Sequence, residues 1–200
     1  MSTNNEIVLV GKVVSDATFS HTTQEENFYK FALEVLRPSG TIDTLPVTVP
    51  QKVLDGGVIS KGNYVRVSGQ LRSYNIHSDD RIHLVLSVFT RDIESAYGLT
   101  DTNNISLEGY LCQKPIYRIT PMGKKISDIL LAVNRPYNKS DYIPCIVWGC
   151  NAAFAGKLAV GDKLQAYGRL QSRNYHTQSE NGSTITKTAY EVSASKLKLM

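Results

Sequence analysis

Residues Val160–His176 read VGDKLQAYGRLQSRNYH, and Lys61–His77, 99 positions earlier, read KGNYVRVSGQLRSYNIH. Within the later segment Leu164, Ala166, Gly168 and Leu170 form one small, apolar set, and the residues between them are large or polar. Alternation with a period of two marks a β-strand, because successive side chains point to opposite faces of a sheet. The same alternation written twice in one chain points to a duplicated fold.

The repeat extends outward from these strands. NNEIVLVGKV from Asn4 and NNISLEGYL from Asn103 share an Asn pair and then Ile7/Ile105, Leu9/Leu107 and Gly11/Gly109. An offset of 98 carries FALEV onto ILLAV and places LRPSGTIDTLPVTVPQ (Leu36–Gln51) over NRPYNKSDYIPCIVWG (Asn134–Gly149). The offset becomes 99 at the quoted strands and is expected to reach 106 near the end, where TQSENGSTITK lengthens the second copy. The seam falls near Tyr97–Asn103, which divides the chain into copies 1–99 and 100–200.

Each copy reads as five strands with one short helix-like piece, QKVLDGGVI or CNAAFAGKL, between the third and fourth. That pattern predicts an all-β chain of two small closed Greek-key barrels, although a plain β-sandwich fits the same alternation.

With 42% hydrophobic and 20% charged residues the chain has enough apolar content for a core. It shows no apolar run of membrane-spanning length and no secretory leader. Cys112, Cys145 and Cys150 have no paired spacing, which fits free thiols and a cytoplasmic location. His21, His77, His83 and His176 are scattered, Asp79-Asp80 reads as a tight polar turn, and no catalytic or metal-ligating constellation is expected, nor any cofactor. The net charge of +4 is uneven: residues 1–100 carry 9 Lys and Arg against 11 Asp and Glu, and residues 101–200 carry 13 against 7. A basic second copy points to an anionic partner for that half.

In the second copy the outer face of the fourth strand reads Tyr167, Arg169, Gln171, Arg173 and Tyr175. The third strand sends Ile143, Cys145 and Val147 one way and Tyr142, Ile146 and Trp148 the other. Tyr142 and Trp148 should lie roughly 20 Å apart, which suits two stacking platforms under an extended strand. Aromatics interleaved with arginines suit a ligand that offers bases and phosphates together.

The second copy resembles the bacterial single-stranded DNA-binding protein family, an oligonucleotide-binding (OB) fold, along nearly its whole length. The resemblance rests on NNISLEGYLCQKP, ILLAVNRPY and VGDKLQAYGRLQSRNY. It implies base stacking at Tyr137, Tyr142, Trp148 and Tyr175, where the family usually carries aromatics and here three are Tyr rather than Trp. Phosphate contacts are expected from Arg118, Lys124, Lys125, Arg135, Arg169 and Arg173. At the matching positions the first copy carries Ser39, Thr44, Pro50 and Ile76, so its DNA face reads as degenerate. Its fourth-strand outer face, Arg66, Ser68, Gln70, Arg72 and Tyr74, is thinner but not empty, and its expected role is a supporting one in dimer packing, partner docking or weaker backbone contact.

The family typically works as four OB folds, so a homodimer of this two-barrel chain is expected. The chain ends EVSASKLKLM, without the acidic tip by which such proteins usually recruit replication and repair enzymes. The expected function is sequence-independent binding of single-stranded DNA in replication, repair or recombination, with no membrane and no small-molecule substrate. Two other readings stay open. One is a tandem OB interaction module in a replication, conjugation or phage complex that binds nucleic acid weakly. The other is an RNA-binding protein of similar fold.

Overall fold

The computed structural model describes residues 4–78, 81–178 and 184–200; Asp79-Asp80 lie outside that set. The first copy forms β1 (Asn5–Val13), β2 (Thr18–Thr23), β3 (Glu26–Leu36), β4 (Ile42–Pro50), α1 (Gln51–Leu54), β5 (Tyr64–Ser78) and β6 (Arg81–Ser95). The second forms β7 (Thr102–Leu111), β8 (Ile116–Ile119), β9 (Lys125–Arg135), β10 (Lys139–Trp148), α2 (Gly149–Ala155), β11 (Lys163–Gln178) and β12 (Thr184–Leu199).

Each copy closes into a five-stranded barrel. The first runs β1-β3-β4-β6-β5 and back to β1, with β4 and β6 parallel and the other pairs antiparallel. The second repeats this circuit as β7-β9-β10-β12-β11. The inward set of the opening stretch is core: Leu164, Ala166 and Leu170 are fully buried, as are their counterparts Val65, Val67 and Leu71. Two strands were not legible from alternation. The edge strands β2 and β8 pair with β3 and β9 but are almost wholly exposed, so no inward set betrays them.

Glycine permits the sharp coiling of so small a barrel. A Cβ on Gly11 would strike the Glu34 carbonyl oxygen where β1 bends onto β3, and one on Gly168 would strike that of Ser193 where β11 coils over β12. Beside Gly69 and Gly168 the ladder shifts register, leaving Arg91 and Ser195 unopposed. Val88 then stands opposite Leu71, and Val192 opposite Leu170. The last strands therefore correspond at an offset of 104, not the expected 106. Register is set by which residues turn inward, a stronger constraint than local similarity in a variable hairpin.

The barrels join through their first strands. β1 pairs with β3 only at Lys12 and Val13, so Asn5–Val10 would leave a free edge; β7 fills it in antiparallel register. Ile7 lies opposite Ile105, its own repeat counterpart, so a pseudo-twofold axis passes through that pair. All twelve strands thereby form one continuous sheet. The Asn5 amide donates to the Leu71 carbonyl oxygen at 2.7 Å and accepts from the Leu71 N–H at 2.9 Å, and Asn103 does the same at Leu170.

A second reciprocal contact crosses the junction. Asp43 of the first barrel is fully buried and accepts from Arg37 Nε at 2.6 Å, Arg37 Nη2 at 2.5 Å, and the backbone N–H of Ser172 in the second barrel at 2.7 Å. Its counterpart Asp141 is equally buried and accepts from the Ser73 N–H of the first barrel at 2.7 Å, with Arg72 Nη1 at 3.3 Å and Arg135 Nε at 3.2 Å. Each barrel thus caps a backbone donor of the other with a buried carboxylate.

The two carboxylates titrate in opposite directions. Burial pushes Asp43 up, but the Arg37 and Ser172 donors outweigh it and hold it below the usual carboxylate range. At Asp141 burial prevails over Ser73, Arg135 and Arg72 and leaves it above that range. Stability from Asp43 is therefore present above its ordinary value of 3.8 and lost as pH falls through the lowered native value. The Asp141 contribution has the other sign: it is greatest below the ordinary value and lost as pH rises through the raised one. Asp43→Asn is expected to cost about 3–5 kcal/mol by stranding Arg37. Asp141→Asn leaves Arg72 and Arg135 without their carboxylate, but because burial already disfavours the Asp141 charge it should cost less, about 1–2 kcal/mol. Urea unfolding of both variants at neutral and acid pH checks the order, and the gap between them should narrow on acidification.

Candidate nucleic-acid interface

Each barrel presents a groove between its β3–β4 or β9–β10 hairpin and its last two strands. In the second barrel this groove is about 530 Å³, floored by Pro144 and Ile146 and flanked by Trp148, Arg118, Arg173 and Glu191. The β10 alternation read from sequence is present: Ile143, Cys145 and Val147 are buried, and Tyr142 and Trp148 lie on the opposite side. Ile146, expected beside them, is buried as part of the floor.

Tyr137, Tyr142, Trp148 and Tyr175 are 95%, 46%, 39% and 39% exposed. Trp148 ends β10, where Gly149 at φ 61 turns the chain into α2. Its Nε1 donates to Ser193 Oγ at 3.1 Å, which pins one edge of the ring. Lys124 and Lys125 share a small concavity with it. Tyr137 sits in the three-residue turn between β9 and β10 at φ 62, followed by Asn138 at φ 53. The first barrel meets the same bend with Gly40 at φ 84, preceded by Ser39. A bulky residue in the left-handed region costs about 1–2 kcal/mol. The second barrel bears that cost while its tyrosine ring stands in solvent, and such stored strain is a mark of functional positions.

The predicted cations divide into groups. Lys124 and Lys125 form no ion pair among the described residues. Arg118 forks onto Asp128 across β8 and β9, at 2.9 and 3.3 Å. Arg173 lies 3.9 Å from Glu191, which also accepts from Gln171 at 2.8 Å. Arg135 belongs to the Asp141 contact and reaches into the groove of the first barrel.

The fourth-strand face read as continuous is split. Tyr167 and Arg169 line a concavity at the barrel junction with Glu6, Asn104 and Ser106, whereas Gln171 and Arg173 line the groove with Trp148. The reason lies in pairing: Lys163–Gly168 of β11 is tied to β7, and the strand beyond the shift runs only with β12.

The groove of the first barrel, about 510 Å³, is lined by Lys30, Arg72, Tyr74 and Phe89 together with Arg135. Strand alternation puts Arg72 and Tyr74 on an outer face, but nothing local along the chain marks Lys30 and Phe89 as their neighbours. Aligning Lys30 and Arg72 with Asp128 and Gln171 through the repeat would have found it.

Comparisons with known proteins fit this architecture. Residues 102–200 match the model of the "Single-strand binding protein family". A single-stranded DNA-binding protein of Oceanobacillus iheyensis is 32% identical over 93 residues, covering 43% of this chain and 56% of that one. Single-stranded DNA-binding protein 1 of Staphylococcus aureus is 37% identical over 83 residues, covering 38% of this chain and 50% of that protein. The chain spans about half the length of the curated relatives it matches. Across both barrels the fold is similar to the crystal structure of the single-stranded DNA binding protein of Thermus aquaticus, with a TM-score of 0.79, 21% identity, and coverage of 98% of this chain and 92% of that one.

The backbone strain has a direct consequence. Tyr137→Gly should raise stability by about 0.5–1 kcal/mol, measured by urea unfolding, because glycine occupies the left-handed region without a steric penalty.

Proposed function

We propose that this chain, whose second barrel belongs to the single-strand binding protein family, binds single-stranded DNA without regard to sequence and serves replication, repair or recombination in the cytoplasm. The observation that carries the reading is the set of four aromatics at 137, 142, 148 and 175, each open to solvent on one barrel and none matched by an aromatic in the other. Bases stack on Trp148 and the three tyrosines, each stack contributing about 1–3 kcal/mol whatever the base. Lys124 and Lys125 beside Trp148 neutralise phosphates first; Arg118 and Arg173 join as the strand competes with Asp128 and Glu191 for their guanidiniums. Arg169 meets backbone at the junction, and Arg135 where the two barrels meet. Duplex binds poorly because its bases are already stacked and turned inward. A homodimer gives four OB folds around which one strand can run. The family acts by binding, and no catalytic step is assigned.

The pairing of Arg118 with Asp128 and of Arg173 with Glu191 favours one second reading, an interaction module in a replication, conjugation or phage complex with weak nucleic-acid binding.

Titration with an oligothymidine of several tens of bases separates the two readings, since Trp148 is the only tryptophan. Single strand should quench its fluorescence strongly and duplex should not. The logarithm of affinity should fall with the logarithm of salt at about 0.7 per phosphate contact. Absence of both quenching and a mobility shift leaves the interaction module. Asp128→Asn, which releases Arg118, is expected to strengthen binding about two- to fivefold at low salt, as a freed cation adds up to one phosphate contact.

A further inference from the structure

The whole-chain charge puts the anion site on the second barrel, but the grooves themselves carry the opposite arrangement. The groove of the second barrel holds Arg118 and Arg173 against Asp128 and Glu191, two cations and two carboxylates. At the repeat-equivalent positions the first barrel has Ser20, Tyr74, Lys30 and Ser87, and Arg72 replaces Gln171. Among the described residues its lining contains no carboxylate, and the guanidiniums of Arg72 and Arg135 share the buried carboxylate of Asp141 behind it. Counting the described residues, three cations stand against one carboxylate, a net charge of +2. Low-dielectric walls strengthen the attraction such a cleft exerts on an anion.

The groove has apolar faces as well. Lys30 Nζ donates to the Tyr74 hydroxyl at 2.9 Å and lies 5.3 Å from its ring centre, and the Arg72 guanidinium lies 5.9 Å from that of Phe89. These aromatics hold the cations in place across the groove. The strand β10 of the second barrel also touches a residue that lines the first-barrel groove. The Tyr142 N–H donates to Ser73 Oγ at 2.7 Å, and Ser73 lines the first-barrel groove next to Arg72. The strand that carries Trp148 at its end is thus tied through its Tyr142 backbone to a residue of the first-barrel groove.

We propose that the two barrels divide the work on one strand: the second stacks its bases, and the first grips its phosphates through Lys30, Arg72 and Arg135. This inference rests on the single-strand reading above. It assigns to the first barrel a phosphodiester site that uses none of the four aromatic positions it lacks.

The test is the salt dependence of binding to a long oligothymidine, compared in variants of each groove. Lys30→Asp, which copies Asp128, should lower affinity about tenfold at low salt and reduce the salt slope by about 0.7 for the lost contact. Lys30→Gln, which keeps a donor for Tyr74, should reduce the slope by the same amount with a smaller loss of affinity. Tyr142→Thr, which copies Thr44, should lower affinity about tenfold by removing a stack while the slope stays at the wild-type value. Photo-crosslinking with 5-iodouracil in the oligonucleotide should label the Tyr74–Phe89 region as well as the second barrel. If wild type binds but both Lys30 variants keep its affinity and slope and crosslinks fall on the second barrel alone, the phosphate grip is overturned and the single-strand reading stands. If wild type neither binds nor quenches, that reading falls and the grip falls with it.

Discussion

A β-strand edge must find partners for its backbone groups, and that requirement organises this molecule. Closing a five-stranded barrel forces β1 to bend, so that it serves β3 only at its end and leaves Asn5–Val10 with one side unpaired. β7 is in the same position with respect to β9, which it meets only at Tyr110 and Leu111. The two edges satisfy each other in one antiparallel ladder centred on Ile7 and Ile105. The Asn5 and Asn103 amides and the buried Asp43 and Asp141 then fasten the ladder from both sides. Because each carboxylate caps a backbone donor of the opposite barrel, relative sliding would strand a buried charge and a buried N–H together.

A frame fixed in this way frees the outward residues to diverge. The inward sets of the two barrels are near copies, and the glycines at the bends match position for position. The groove faces do not match. The four exposed aromatics at 137, 142, 148 and 175 lie on the second barrel. Among the described residues the groove of the first is lined by cations without a carboxylate, whereas that of the second holds both signs. Even the shared carboxylates have drifted: Asp43 has one arginine in bidentate contact and is held low, while Asp141 has two arginines in looser contact and is raised by burial. The difference lies in hydrogen bonding: Arg37 and the Ser172 hydroxyl donate to Asp43 at close range, whereas the arginines beside Asp141 stand farther off and do not offset its burial.

The β9–β10 turn shows that stability was not the sole constraint on the second barrel. Glycine meets the left-handed bend in the first barrel, whereas Tyr137 and Asn138 meet it in the second. Nothing in the fold requires a tyrosine there, since its ring touches solvent nearly all round. A position where the local rule is broken without a packing gain is where binding chemistry is expected.

The sequence by itself determined the duplication, the all-β class and the inward face of each barrel strand, because side-chain alternation and barrel closure are local consequences of chain geometry. It also located the four aromatics of the second barrel. It missed β2 and β8, which bury no face, and it misjudged the last offset, since similarity in a lengthened hairpin says nothing about which residues turn inward. What only the tertiary structure decided was the company each charge keeps. Arg118, Arg135 and Arg173 read alike as free cations, yet each lies beside a carboxylate on another strand. Lys30, unremarkable along the chain, converges with Arg72 of the fourth strand in one groove. Charge is additive along a sequence, but the field at a groove depends on which residues the barrel brings within a few ångströms, and that is set by register and coiling.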